Sequence, residues 1–165
     1  MYMADLANYP QHLPTVAAWH YTEWGHLNPS DSIPLRIERL RQHMGRPGIP
    51  TTLIAVEHDT VLGSASLVVN DLRTHPDLTP FLASVYVAPD YRRRGIASAL
   101  VRQAMAVVQQ LGIPTFYLIT PDQQQLYARL GWQPQAEVTY RGERVTLMAT
   151  TKPHTPPPVN PWCGR

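Results

Sequence analysis

The sequence is poor in cysteine, with Cys163 as its single thiol in 165 residues. One cysteine cannot form an intramolecular disulfide or a cysteine metal cluster, which is compatible with a reducing compartment. No apolar run is long enough to span a bilayer, and the N-terminus has no basic region followed by an apolar segment. We therefore expect a cytoplasmic protein without membrane contacts. Seven histidines are present, but none has His-Glu-x-x-His or comparable spacing, so we expect no metal.

The net charge is also small. A formal charge of +2 does not indicate the broad basic surface that binds nucleic acid. The length and the 44% hydrophobic content predict one domain, residues 1–151. Residues 152–165 form a proline-rich tail that cannot bury enough surface to fold alone, so it is predicted to be disordered or extended over the domain.

Strands and helices alternate along the chain without internal repeats. Two β-rich runs flank an amphipathic helix in the second half of the domain, and such a crossover predicts a parallel strand pair. The sequence thus predicts an α/β (α+β) fold with helices flanking one sheet. The predicted strands are 2–7, 51–57, 61–69, 81–88, 115–120, 136–141 and 144–150. The predicted helices are 16–24, 35–41, 95–111 and a short one capped by Asp122 that ends at Leu130.

Residues 84–100 hold the clearest functional signal. A β-branched and aromatic strand stops at Pro89, and a helix with one apolar face begins near Gly95. Three arginines, Arg92 to Arg94, stand between them. Backbone NH groups at a helix N-terminus, surrounded by positive charge, favour an anion. The alternative is a solvated charged turn.

The motifs here match a known family. Residues 92–97 fit Gln/Arg-x-x-Gly-x-Gly/Ala and follow a Val-x-Pro-x-Tyr-Arg segment, while residues 126–132 read Leu-Tyr-Ala-Arg-Leu-Gly-Trp. Over roughly residues 50–150 the sequence resembles the GCN5-related N-acetyltransferase (GNAT) superfamily. The resemblance implies a mixed, mostly antiparallel sheet with a splayed parallel strand pair, and acetyl-CoA as the acyl donor.

The resemblance also implies roles for individual residues. Tyr127 would protonate the departing thiolate, although it could instead be an ordinary half-buried helix tyrosine. The backbone of the strand would serve the pantetheine arm and the oxyanion, and the NH groups of the turn would hold the pyrophosphate. The implied cofactor-binding residues are Val85, Tyr86, Val87, Arg92, Arg93, Arg94, Gly95, Ile96, Ala97 and Ser98.

The sequence departs from the family where a general base is common. Residues 81–84 contain no carboxylate, and Thr120 replaces a frequent asparagine. Without a strong base the site favours an α-amine with a pKa of about 8, since a lysine near 10.4 costs roughly 3 kcal/mol more to deprotonate. Glu23, Glu57, Asp122 or a water chain could still supply the base.

Two features bear on the acceptor. The helix that contains Trp19, Glu23 and Trp24 either packs in the core or lines an acceptor pocket. This helix and residues 120–132 also resemble, over short segments, the actin N-terminal acetyltransferase branch, which raises the peptide hypothesis.

The function expected from the sequence is N-acetyl transfer from acetyl-CoA to a primary amine, either a peptide N-terminus or a small molecule. The amine would attack directly in a ternary complex. The alternative is a non-catalytic acyl-CoA-binding sensor or interaction module. The protein would be a monomer or a homodimer.

Overall fold

The computed structural model describes residues 1–45 and 47–151, so the predicted proline-rich tail lies outside the described residues. The strands are β1 (Tyr2–Asp5), β2 (Thr51–Glu57), β3 (Thr60–Val68), β4 (Phe81–Val87), β5 (Thr115–Thr120), β6 (Gln133–Tyr140) and β7 (Glu143–Thr151). The α-helices are α1 (Leu13–Trp24), α2 (Ile33–Gln42), α3 (Ile96–Gln110) and α4 (Gln124–Arg129). Among the described residues, no helix is both long and apolar enough to cross a membrane.

The strands form one seven-stranded sheet in the order β1-β2-β3-β4-β5-β7-β6. All neighbours are antiparallel except β4 and β5, which are parallel and joined by the α3 crossover. This architecture confirms the predicted fold class and the predicted parallel pair.

Helices cover both faces of the sheet. On one face, α3 and α4 pack on a core that includes Leu62, Leu100, Phe116, Trp132 and Met148. On the other face, α1 and α2 cover a second core that includes Leu6, Val16, Leu40, Ile54 and Val56. Beside α1 and α2, the loop between β3 and β4 packs over the same face through a small cluster of Leu72, Phe81 and Leu147.

The N-terminal boundaries differ from prediction. The first strand ends at Asp5 because its carboxylate accepts a hydrogen bond from the Ala7 NH at 2.8 Å and starts a 3-10 turn. Helix α1 begins at Leu13, three residues earlier than predicted. Pro14 lies in its first turn, where a missing NH costs nothing. Ser32 is the N-cap of α2, since its Oγ accepts from the Leu35 NH at 3.2 Å.

The last hairpin is longer than predicted, since β6 begins at Gln133. Pro134 is tolerated there because β6 is the edge of the sheet. Gly63 is a point of close packing between β3 and β4. A Cβ at this position would lie 2.6 Å from the Tyr86 carbonyl oxygen, so only glycine lets β3 approach β4 this closely.

Candidate active site

A β-bulge in β4 opens the sheet. Ser64 of β3 pairs with Tyr86 and Ser66 pairs with Ala83, so β4 has one residue more than β3 across this segment. Ser84 takes up the extra residue with a φ of 54°, in the left-handed region. A bulge bends its strand and leaves backbone groups unpaired. Strands β4 and β5 are accordingly in register at Phe81 and Tyr117, where β4 begins, and then diverge.

A cavity of about 1040 Å³ lies where the two strands separate, and we call it the central cavity. It is lined by residues 82–87 of β4, by residues 118–120 of β5 and by Tyr127 of α4. The backbone that the sequence assigns to the pantetheine arm, at Val85, Tyr86 and Val87, is part of this lining. The splayed strands, the bulge and the tyrosine thus share one space.

The turn at residues 92–95, which we call the arginine turn, borders the same cavity. Arg93 has a φ of 64° and Gly95 a φ of 75°, so left-handed residues alternate with others along the turn. Left-handed residues in such turns are a feature of concave anion sites, in which successive NH groups point to one side. Gly95 is also the N-cap of α3, whose positive dipole end points at the turn.

The three arginine side chains have different surroundings. The Arg92 Nε donates to the Val87 carbonyl at 2.9 Å, and its guanidinium lies 5.6 Å from the centre of the Tyr86 ring. Arg93 lines the central cavity. Arg94 does not line it, because its side chain pairs with Glu57 at 3.1 Å. Ile96, Ala97 and Ser98 at the start of α3 do line the cavity.

Tyr127 is a buried member of the lining, with 7% of its surface exposed. Its ring meets Trp132 edge-on at 6.2 Å, and Trp132 in turn packs on Phe116 at 4.9 Å. Burial, together with the nearby charge of Asp122, raises the pKa of Tyr127 to about 12. At neutral pH the phenol therefore keeps its proton and can donate a hydrogen bond into the cavity.

The start of α4 is not fixed in the predicted way. The capping box proposed for Asp122 and Gln125 is wrong, because α4 begins at Gln124 and its N-cap residue, Gln123, makes no side-chain capping bond. Instead the buried Thr120 accepts a hydrogen bond from the Gln123 NH through its Oγ1 at 3.0 Å. The threonine that replaces the family asparagine thus anchors the loop that leads to Tyr127.

Helix α1 contributes to both the core and the cavity. Trp19 packs against Tyr86 at 5.3 Å between ring centres, while Trp24 meets the same tyrosine edge-on at 6.3 Å. Glu23 and Trp24 line the cavity. The two interpretations of this helix are therefore compatible, since Trp19 packs and the next turn faces the open space.

The carboxylates named as possible bases have different locations. Glu23 and Asp122 line the central cavity and are exposed. Glu57 lies outside the lining, and its hydrogen bonds with Arg94 lower the pKa of its carboxyl. A paired carboxylate with a lowered pKa is a weak base.

Sequence reasoning missed Asp71, which follows β3 and lines the cavity. Burial raises the pKa of Asp71 to about 6, although the charges of Arg141 and Arg36 act in the opposite direction. A carboxylate shortly after a buried strand was the available signal, but only the fold tells which loop faces the cavity.

Comparison with known proteins agrees with this geometry. The model of the acetyltransferase (GNAT) family matches residues 13–132. No curated protein sequence matches significantly. Among solved structures, ribosomal-protein-alanine N-acetyltransferase from Brucella melitensis superposes with a TM-score of 0.75 at 16% identity, over 92% of this chain and 100% of that one. An aminoglycoside 6'-N-acetyltransferase complexed with coenzyme A gives 0.72 at 16% identity, over 92% and 97%.

A further solved structure, aminoglycoside 6'-acetyltransferase type Ii, gives a TM-score of 0.71 at 18% identity, with coverage of 92% of this chain and 97% of that one. Identities this low establish the fold alone, whereas the family model spans well over half of the chain. This protein therefore belongs to the GNAT acetyltransferase family and is an acetyl-CoA-dependent N-acetyltransferase.

Proposed function

We propose that the protein transfers the acetyl group of acetyl-CoA to a primary amine, by direct attack of the amine on the thioester in a ternary complex. The observation that carries this proposal is the shared lining of the central cavity, where the arginine turn and Tyr127 face one space of about 1040 Å³. The NH groups of the turn, with Gly95 and Ser98, would hold the pyrophosphate. The bulged backbone of β4 would bind the pantetheine arm.

Arg92 adds a condition to this arrangement. Its Nε occupies the Val87 carbonyl, one of the backbone groups assigned to the pantetheine arm. An amide NH of that arm would have to share the Val87 carbonyl oxygen with the guanidinium or displace the guanidinium from it. Since carbonyl oxygens have two lone pairs, sharing is chemically feasible.

Tyr127 would act on the leaving group. A thiol has an ordinary pKa of about 8.5, so full proton transfer from a phenol near 12 is uphill by roughly 5 kcal/mol if the thiol is unperturbed. The same buried site also raises the pKa of the thiol, because the thiolate loses hydration there. Tyr127 therefore works as a hydrogen-bond donor whose proton moves towards sulfur as the carbon–sulfur bond breaks.

The acceptor would be an amine that is partly neutral at physiological pH. A peptide α-amine, with a pKa of about 8, meets this condition without a strong base. The structural neighbours include one named for alanine of a ribosomal protein and others named for aminoglycosides, so both peptide and small-molecule acceptors belong in the test.

Replacing Tyr127 by phenylalanine tests the proposal. Thiol release from acetyl-CoA is followed with primary amines and with peptides that have free N-termini. We expect kcat to fall about 10²-fold or more, because one donor to developing charge is lost, with acetyl-CoA affinity unchanged by calorimetry. Tyr117→Phe is the matched control, since Tyr117 stacks on Phe81 and does not line the central cavity.

Two results would count against the proposal. An unchanged kcat in Tyr127→Phe would remove the assigned role of the phenol. Acetyl-CoA binding without thiol release, for every amine and peptide tested, would instead favour the non-catalytic acyl-CoA-binding alternative.

A further inference from the structure

We propose that Asp71 is the acceptor-side catalytic carboxylate, which binds the ammonium group of the acceptor and removes its proton before attack. This inference rests on the proposed function. It supplies the base that residues 81–84 lack, and it takes that base from the loop between β3 and β4 instead of from the sheet.

Asp71 is held rigidly between two anchored neighbours. The Asn70 amide donates to the carbonyls of His75 and Leu78 at 3.0 and 2.9 Å, while its Oδ1 accepts from the Leu72 NH at 3.1 Å. The Leu72 side chain is 1% exposed. The backbone on both sides of Asp71 is therefore fixed, which limits the positions that its carboxylate can reach.

The anchor of Leu72 brings Asp71 to the base of the opening between the strands. Leu72 packs in a cluster with Phe81 and Leu147. Phe81 is the β4 residue in register with β5, so the cluster marks the point from which the two strands diverge. Asp71, next to Leu72 in the chain, lines the central cavity, as Ala83 and Ser84 of the bulge also do.

Asp71 differs from the other carboxylates in the lining. Of the four carboxylate residues that line the cavity within the described part of the chain, Glu23, Asp122 and Glu143 are exposed, whereas Asp71 is partly buried. Within that same part, Asp71 forms no salt bridge. A partly buried carboxylate without a fixed cation is a natural site for a cationic ligand.

The two arginines whose charges act on Asp71 are each bonded to another residue. The Arg36 Nε is bound to Asp31 at 2.7 Å, and the Arg141 Nε donates to the Tyr140 hydroxyl at 3.3 Å. The charged groups that share the lining on the acceptor side are Glu23 from α1, Arg36 and Arg39 from α2, Arg73 from the loop, Asp122 before α4, and Arg141 and Glu143 from the last hairpin.

The proton affinity of the carboxyl suits the reaction. With its pKa raised to about 6 by burial, Asp71 is ionised at pH 7 and is a stronger base than an ordinary aspartate, whose pKa is about 3.9. The carboxylate takes one proton from the ammonium group. The neutral nitrogen then forms a bond to the thioester carbon, and the carbon–sulfur bond breaks. As the amide forms, the nitrogen loses a second proton, which replaces the proton that Tyr127 directs to sulfur. The products are the amide, the thiol and one proton passed to water.

The test compares Asp71→Asn with Asp77→Asn. Asp77 belongs to the same loop but is exposed and does not line the cavity, so it is a matched control. Thiol release is measured from pH 5 to 9 with ethanolamine, spermidine and an N-terminally free tetrapeptide. For wild type and Asp77→Asn we expect kcat/KM to fall on the acid side with an apparent pKa of about 6. In Asp71→Asn we expect a loss of about 10²-fold or more at pH 7 and no such acid limb.

Further measurements separate this inference from the proposed function. Asp71→Glu should recover part of the lost activity, and Asp71→Asn should bind acetyl-CoA as wild type does. An Asp71→Asn enzyme that retains the acid limb, or the wild-type rate, overturns the role of Asp71 while the transferase proposal stands. If wild type releases no thiol, a carbon NMR titration of the Asp71 carboxyl decides. Added spermidine or tetrapeptide should lower its midpoint, and an unmoved midpoint with both overturns the inference.

Discussion

The buried histidine of α1 gives a stability prediction that depends on pH. His20 is 2% exposed, and its Nε2 lies 3.0 Å from the Ser64 Oγ. Burial lowers the pKa of His20 to about 3, and the charges of Arg36 and His43 act in the same direction. In the unfolded chain this histidine has an ordinary pKa of about 6.5 and begins to take up a proton near that pH. The folded protein still holds His20 neutral there.

The direction in which stability changes with pH follows from this difference in pKa. Below about pH 6.5 the unfolded state binds a proton that the folded state rejects, so the free energy of unfolding falls as the pH falls, by about 1.36 kcal/mol per unit down to about pH 3. The contribution of His20 is full above pH 6.5. It is reduced by about 1.4 kcal/mol at pH 5.5 and by about 2.7 kcal/mol at pH 4.5.

Urea unfolding of wild type and His20→Gln between pH 7 and 4.5 measures this term. The variant loses ring packing and should be less stable at pH 7 by about 1–3 kcal/mol. The difference in free energy of unfolding between wild type and variant should then shrink by about 1.4 kcal/mol at pH 5.5 and by about 2.7 kcal/mol at pH 4.5. Contributions from other groups, such as His43, whose pKa burial also lowers, cancel in the difference. His26→Gln changes a histidine whose side chain is 65% exposed and should follow the wild-type curve.

Parallel curves for wild type and His20→Gln would refute the reasoning. They would mean that the folded protein accommodates a charged imidazole beside Ser64, by admitting water or by moving α1. The raised pKa of Asp71 acts in the opposite direction, stabilising the fold as the pH falls through 6, and it too cancels in the comparison.

Three further predictions test the arrangement around the cavity. Gly63→Ala should lower the free energy of unfolding by about 1–3 kcal/mol in urea titrations, because its Cβ would meet the Tyr86 carbonyl oxygen. Gly95→Ala has no heavy atom within 4 Å of its Cβ, so its cost should be only the left-handed backbone, about 1–2 kcal/mol in the same assay. In calorimetry, Arg93→Glu should weaken acetyl-CoA binding more than Arg94→Glu, since of these two residues Arg93 lines the cavity and Arg94 does not.

The secondary structure was largely predictable because its signals are local. The apolar spacing of α3 predicted a helix from Gly95 to Leu111, and the helix spans Ile96–Gln110. Errors occurred where a side chain outside the pattern decided a boundary. Asp5 ended the first strand early, and Thr120, not Asp122, anchors the turn before α4.

The bulge in β4 could not be predicted from the strand that contains it. Nothing in Phe81–Val87 distinguishes Ser84, which takes a left-handed φ of 54°. The bulge depends on a second strand, since Gly63 lets β3 approach Tyr86 more closely than any side chain would permit. Pairings between residues far apart in sequence leave no local signature.

The two halves of the site differ in how the chain builds them. The proposed donor half comes from one continuous segment, residues 84–98, so a strand, a turn and a helix start appear in order in the sequence. The proposed acceptor half is assembled from α1, α2, the loop after β3 and the last hairpin. Each segment alone shows only ordinary charged residues, such as Asp71 or Arg141. Their meeting depends on the sheet order and on the buried Leu72, so an acceptor-side residue can be identified only once the fold has been established.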